Sequence, residues 1–227
     1  MLMFDERFEV VLADTARSKA IHYQLRYQVF CLEKGFENAQ QFKNEMEQDR
    51  YDDQAVHFLV RDKKRNKWVG AARLVLGTAD SLPLKQVAEF QLPDLPADKV
   101  IAEFSRLLIL DEYRQPNGNG SSEPEILLGL IRAAKEYCQN VAAIEHWVFL
   151  CRRSLCRMLT NVGIDLRQIG PACAFRGIRI PYRMDLATAF NEIAHVSFRT
   201  YQMLNRPRSH YPHFIAYSEL VRRYQVA

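Results

Sequence analysis

Three short stretches place ionisable side chains against apolar neighbours. They are Arg26-Tyr27-Gln28-Val29-Phe30, Glu45-Met46-Glu47-Gln48-Asp49-Arg50-Tyr51-Asp52, and Glu103-Phe104-Ser105-Arg106, with Arg73 in an apolar run between the last two. A charge inside an apolar segment is costly unless it is paired. Each stretch therefore reads either as an ion pair that pins the structure or as part of a site that uses its charge, and three together favour the site. The chemistry on offer is proton transfer by a carboxylate and capture of a carboxylate by the planar fork of a guanidinium. Strand alternation would put Glu103 and Ser105 on one face and Phe104 and Arg106 on the other, unless a bulge intervenes.

These residues need a scaffold, and hydrophobic periodicity sketches one. Asp14-Thr15 caps a predicted helix over 16–33, with Ile21, Leu25, Val29 and Leu32 on one side and a stop near Gly35. The acidic segment 37–53 reads as a partly helical cover. Ala55–Arg61 and Trp68–Leu76, joined by the polar run Asp62–Lys67, read as an antiparallel hairpin. Val100–Leu110 is a strand-length apolar run. After the loop 116–122, Ser122 and Pro124 open a helix to about Gln139, with Ile126, Leu127, Leu130, Ile131 and Ala134 as its buried stripe. A strand at 144–150, a helix at 152–161 stopped by Gly163, short strands around 166–170 and 174–180, and a helical tail over 186–204 and 214–224 complete the reading. The alternation is that of an α/β fold with a mixed sheet.

Composition bounds the rest. A chain of 227 residues, 48% of them hydrophobic, is long enough for one substantial core, and a single domain over 1–227 is expected, with 1–54 as a helical cover of the substrate site and 186–227 as a helical tail. No run of eighteen apolar residues is present, and charges at Asp5, Glu6 and Arg7 interrupt the start, so neither export nor an integral membrane segment is expected. Five cysteines without a Cys-x-x-Cys pair fit the cytoplasm, and no metal site is expected. Residues 1–113 hold 16 Lys/Arg against 19 Asp/Glu, whereas 114–227 hold 15 against 8. The later half thus suits an acidic partner, but its basic residues are scattered and no nucleic-acid motif accompanies them. Cys151, at the end of a strand and before a helix, is a further candidate nucleophile.

Leu25-Arg26-Tyr27-Gln28-Val29-Phe30 with Glu33-Lys34-Gly35-Phe36, the segment Glu45–Asp52, Gly70-Ala71-Ala72-Arg73 and Glu103-Phe104-Ser105-Arg106 resemble the acyl-homoserine-lactone synthases in identity, order and spacing. Leu127-Leu128-Gly129-Leu130, His146-Trp147, Leu159 to Gly163, Ile169-Gly170-Pro171 and Arg176-Gly177 are more similar to the related long-chain N-acyl amino acid synthases and the PEP-CTERM/exosortase-associated acyltransferases. Together the resemblance covers about residues 20–185. Phe36 stands where the lactone synthases usually have tryptophan, and Cys151-Arg152-Arg153-Ser154 replaces a Met-Glu-Pro-like segment of the exosortase group. Both departures bear on the acceptor more than on the reaction.

The resemblance implies a GNAT-like mixed central sheet flanked by helices, and an N-acyltransferase that moves a fatty acyl group from acyl-acyl-carrier-protein, or acyl-CoA, to the amine of a small amino acid. No tightly bound cofactor is implied. Glu103 is the expected general base, assisted by Asp49 or Asp52. Arg26, Phe30, Phe36, Arg73, Ser105 and Arg106 are the expected substrate-binding residues, and a bulge in the strand would offer amides to the oxyanion without an acyl-enzyme. Arg152, Arg153 and Arg157 are candidates for docking the carrier protein. Gly118 and Gly120, in Gln115-Pro116-Asn117-Gly118-Asn119-Gly120, are similar to a loop that holds a cofactor pyrophosphate in acetyl-CoA-dependent relatives, although the same residues make ordinary turns. Three alternatives stand beside this reading: a lactone synthase consuming S-adenosylmethionine, a short-chain acetyltransferase using acetyl-CoA, and a ligand-binding module that keeps the charges as salt bridges.

Overall fold

A computed structural model describes residues 4–115, 123–205 and 212–225. In chain order the elements are α1 (Phe4–Arg7), β1 (Phe8–Leu12), α2 (Ala16–Arg26), a π-helical stretch (Tyr27–Glu33), β2 (Ala55–Asp62), β3 (Lys67–Gly77), β4 (Ile101–Ile109), α3 (Asp111–Arg114) and α4 (Glu123–Tyr137). There follow β5 (His146–Cys151), α5 (Arg153–Thr160), β6 (Arg167–Gln168), β7 (Cys173–Ala174), β8 (Ile178–Asp185), α6 (Ile193–Val196), α7 (Phe198–Leu204), β9 (Ile215–Ala216) and α8 (Tyr217–Gln225). The expected α/β class with a mixed sheet is what forms. The chain packs as two compact units, 1–73 with 106–134 and 206–227, and 74–105 with 135–205.

In the first unit the strand order is β9, β1, β2, β3 and the second half of β4. β1 runs antiparallel to β2, with Phe8 opposite Asp62 and Leu12 opposite Phe58, and β9 adds parallel to β1 at Val11 and Leu12. Phe58, Leu59 and Val60 are all fully buried, so β2 is covered on both faces, and its unbroken apolar run follows from that. Gly70, Ala71 and Ala72 keep β3 thin where α4 crosses it: a Cβ on Gly70 would lie 3.0 Å from Ile126 Cγ2 and 3.2 Å from the Leu108 carbonyl. The turn after β2 is fixed by Asp62, whose Oδ1 accepts from the Lys64 and Arg65 amides. The buried stripe predicted for α4 is present, and its Gly129 makes room for the Phe4 ring. Beside it, Arg132 pairs with the Asp5 carboxylate.

In the second unit the first half of β4 runs parallel to β5, and β8 pairs antiparallel with β5, β6 and β7. Phe104 stacks on Trp147 at 5.3 Å and Phe149 on Tyr182 at 6.1 Å, giving this unit an aromatic core. The β4–β5 ladder consists of Ala102 opposite Trp147 and Glu103 opposite Val148, although β5 continues to Cys151.

Several expectations change. The segment 1–54 contains a strand, β1, so it is not a purely helical cover. Helix 16–33 is α-helical to Arg26 and π-helical beyond it. The strand expected at 174–180 is instead a hairpin, with β8 running on to Asp185. The tail likewise holds β9 between its helices, because Ile215 finds an open edge beside Val11. The expected cap Ser122 lies outside the described residues, as do Gly118 and Gly120. All five cysteines are free thiols, and among the described residues no helix is long and apolar enough to cross a membrane.

Candidate active site

The site is assembled in the first unit by four elements. Thr15 caps α2 through a reciprocal pair with Ser18, and the helix carries Arg26 to its last turn. There the helix widens: the Tyr27 amide is shared between the carbonyls of Gln24 and Tyr23. The Tyr23 carbonyl also accepts the Glu47 amide at 3.1 Å, which ties the 45–53 segment to the junction where the helix changes pitch. At the other end of the π stretch, Gly35 adopts a left-handed φ of 60°, which Gly accepts without a Cβ clash. The chain turns back there, the Phe36 and Glu37 amides donate to the Phe30 carbonyl, and the Phe36 ring stacks on Phe30 at 6.5 Å.

Three arginines and three carboxylates interlock. Arg26 donates through Nε to Glu47 and through Nη1 to Asp52 Oδ1 at 2.6 Å. Arg73 Nη1 donates to Asp49 Oδ1 at 2.7 Å and to Asp52 Oδ1 at 2.8 Å. Arg106 Nη2 reaches Asp49 Oδ2 at 2.8 Å and Glu47 Oε1 at 3.2 Å. The loop secures itself as well, the Asp49 amide donating to Asp52 Oδ2 at 2.6 Å and the Tyr51 amide to Asp49 Oδ1 at 2.9 Å. The charges balance, which is the condition under which so many buried ions are tolerated.

Arg106 interrupts the regular course of β4. Its φ of 51° is left-handed in the middle of β4, a conformation costing about 1–3 kcal/mol outside glycine. The left-handed turn breaks the regular alternation of the strand, so the simple assignment of Phe104 and Arg106 to one face is not assured by it. It delivers the guanidinium of Arg106 to 5.9 Å from the centre of the Phe30 ring.

Electrostatics follow from burial and pairing. Burial alone would raise the Asp52 carboxyl, but Arg26 and Arg73 outweigh it and hold it well below the usual range. Asp49 is lowered in the same way by Arg73 and Arg106. Arg26, despite burial, is held above its ordinary value by Glu47 and Asp52, whereas Arg106 is lowered by burial and by the neighbouring Arg26 and Arg73. The side chains of Arg26 and Arg73 are 0% exposed, against 13% for Arg106 and 25% for Asp49. The Arg106 Nε is buried and has no hydrogen-bond partner among the described residues.

Of the residues singled out in the sequence, Arg26, Asp49, Asp52, Arg73 and Arg106 thus come together, with Phe30 and Phe36 beside them. Glu103 is buried in the second unit, where the Leu84 amide donates to its Oε2 at 2.6 Å. Ser105 is half-buried on the same strand. Arg152, Arg153 and Arg157 are exposed, the last two one turn apart on α5. Burial pushes the Cys151 thiol up to about 12, the opposite of an activated nucleophile. Glu47, His22 and His57 also belong to the site region and were not singled out. His22 precedes Arg26 by four residues, the spacing that puts both on one helix face, and that was the available signal.

The fold is that of the GNAT acyltransferases, and the acetyltransferase (GNAT) domain family matches residues 25–119, a span that contains every member of the charge network. Fold and domain thereby bear out the expected acyltransferase class. No curated protein sequence matches the chain. Among solved structures, the AHL synthase LasI superposes with a TM-score of 0.62 at 23% identity, covering 82% of this chain and 93% of that one. The CoA-dependent acyl-homoserine lactone synthase BjaI, with SAM and isopentyl-CoA, gives 0.62 at 19% identity, over 86% and 89%. FeeM, an N-acyl amino acid synthase from uncultured soil microbes, gives 0.61 at 12% identity, over 85% and 98%. The resemblance read from the sequence to these synthases is borne out, at identities where the likeness is one of fold.

Proposed function

We propose that the protein is an N-acyltransferase that moves a fatty acyl group from a thioester carrier to the amine of an amino acid. The observation that carries this reading is the unequal availability of the charge network. The side chains of Arg26 and Arg73 are wholly enclosed, whereas those of Arg106 and Asp49 are partly exposed. A zwitterion suits such a pair, its carboxylate accepting from the Arg106 guanidinium and its ammonium lying near Asp49. Phe30 and Phe36 offer an apolar wall to its side chain.

Attack on a thioester requires a neutral amine, so a base must remove the ammonium proton. Asp49 and Asp52, paired with arginines and held low, are poor bases; Glu103 is kept as the proposed base on the resemblance read from the sequence alone. On the donor side, β5 extends past its ladder with β4, so the backbone from Phe149 to Cys151 has an edge at which an amide-bearing arm such as pantetheine would add as a further strand. Arg152, Arg153 and Arg157 are proposed to meet an acidic carrier protein.

S-adenosylmethionine presents the same amino-acid zwitterion, so a lactone synthase is the second reading, favoured by the fold likeness to LasI and BjaI. The test is incubation with acyl-acyl-carrier-protein or acyl-CoA, each with free amino acids or S-adenosylmethionine, followed by mass spectrometry. An N-acyl amino acid is expected. Lactone as the sole product would transfer the proposal to the second reading, and no amide product with any pair would end both.

A further inference from the structure

Beside the charge network lie three packed rings, two of them buried, that the proposed reaction does not use. His22 and His57 meet edge to face at 4.6 Å, and Tyr23 packs edge-on against both, at 6.1 and 5.5 Å. Both histidines are almost wholly inaccessible. His57 Nε2 lies 3.1 Å from the carbonyl of Asp52, the residue whose carboxylate joins Arg26 to Arg73. His22 Nε2 lies 3.2 Å from the carbonyl of Ala72, the residue before Arg73.

A carbonyl oxygen only accepts, so each Nε2 must carry the proton and each Nδ1 must be bare. The two Nδ1 atoms accordingly have no hydrogen-bond partner among the described residues. Burial keeps both rings neutral, holding His57 down to about 4 and His22 well below its ordinary value, and each is disfavoured further by Arg26. A neutral donor at these two points adds a hydrogen bond without disturbing the charge balance beside it.

We propose that His22 and His57 are positioning residues for the acceptor site: through two backbone carbonyls they fix the Asp52 loop and the Arg73 strand against each other, and so set where Asp49 and Arg106 present themselves. Tyr23, whose ring lies 5.5 Å from the Arg26 guanidinium, completes the three rings beside the third cation. The inference rests on the zwitterion-binding reading of the network and deepens it.

The experiment compares His57→Phe and His22→Phe, which keep a buried ring and lose the donor, with His57→Gln and His22→Gln, which keep an N–H. In the full-length protein, kcat/KM for the acceptor is expected to fall by about tenfold to a hundredfold in each Phe variant, the scale of a misplaced binding group. KM for the thioester donor should be unchanged, and the Gln variants should recover most of the loss. If one Phe variant fails to fold, the other carries the same expectation. Acceptor kinetics unchanged in a folded Phe variant, or a loss that Gln does not restore, would overturn the proposal. Arg106→Lys, run in parallel, separates the two readings: unchanged acceptor kinetics there would remove the zwitterion site itself, whatever the histidine variants do.

Discussion

Asp52→Asn is the most direct probe of the network. Asp52 is 2% exposed, and its carboxylate accepts from Arg26 at 2.6 Å, from Arg73 at 2.8 Å and from the Asp49 amide at 2.6 Å. The amide is nearly isosteric, so the change removes charge and one acceptor without opening a cavity. Two arginines with fully buried side chains then share one uncompensated positive charge, and breaking a buried pair of this kind costs about 3–5 kcal/mol. For a chain of 227 residues, 1 kcal/mol corresponds to about 2–4 °C in Tm, so a fall of roughly 6–20 °C is expected. Urea titration and calorimetry of the two proteins read it directly. The pH dependence supplies a second check. The folded carboxyl is held below its unfolded value of about 3.9, so its stabilisation is fully present above that value and disappears as pH falls through the folded one. The gap between wild type and variant should therefore be constant from pH 8 to pH 5 and close only in stronger acid. A loss of less than about 1 kcal/mol, the range of exposed pairs, or a gap that closes above pH 5, would refute the argument that a balanced buried network holds the 45–53 segment.

The buried histidines make a separate prediction for acid stability. His57 is about 4 in the folded protein against an ordinary 6.5, and His22 is lowered too, so the unfolded chain takes up more protons as pH falls from 6.5 towards 4. Stability should decline over that window by up to about 1.4 kcal/mol per pH unit for each ring, and the decline should flatten in the His22→Phe, His57→Phe double variant; an equal slope in both proteins would contradict it. In α4, Gly129→Ala should destabilise by about 1–3 kcal/mol although alanine is the better helix former, because the new Cβ would lie 2.3 Å from Phe4 Cζ. The same change made together with Phe4→Ala should cost much less, and an equal cost in both backgrounds would show that the ring is not the obstacle.

Much of the site was legible because charge in an apolar setting demands a reason. Arg26, Arg73 and Arg106 stood out on that ground, and the structure pairs all three. Glu47 did not, since a glutamate in an acidic run looks like any solvated residue; its pairing with Arg26 and Arg106 and the hydrogen bond from its amide to the Tyr23 carbonyl turn it inward. The histidines were hidden for the converse reason, a ring among apolar neighbours being the ordinary content of a core. β1 escaped notice because five residues between charged ends give too few turns of the alternation to declare a strand, and β2 supplies the partner that makes it one. The π-helical stretch is illegible in principle, as seven residues do not distinguish a period of 3.6 from a wider one. An irregularity in this strand was foreseeable as a possibility, but its place was not, because the left-handed φ of 51° at Arg106 goes against the residue's own propensity.

That left-handed residue also governs how this strand can be transplanted. Since a left-handed residue redirects the strand after it, a graft of β4 from a relative must bring its own irregularity and be spliced outside residues 101–109. A cut inside the strand, even with every side chain matched, would rotate Arg106 away from Asp49 and break the ion pair between them.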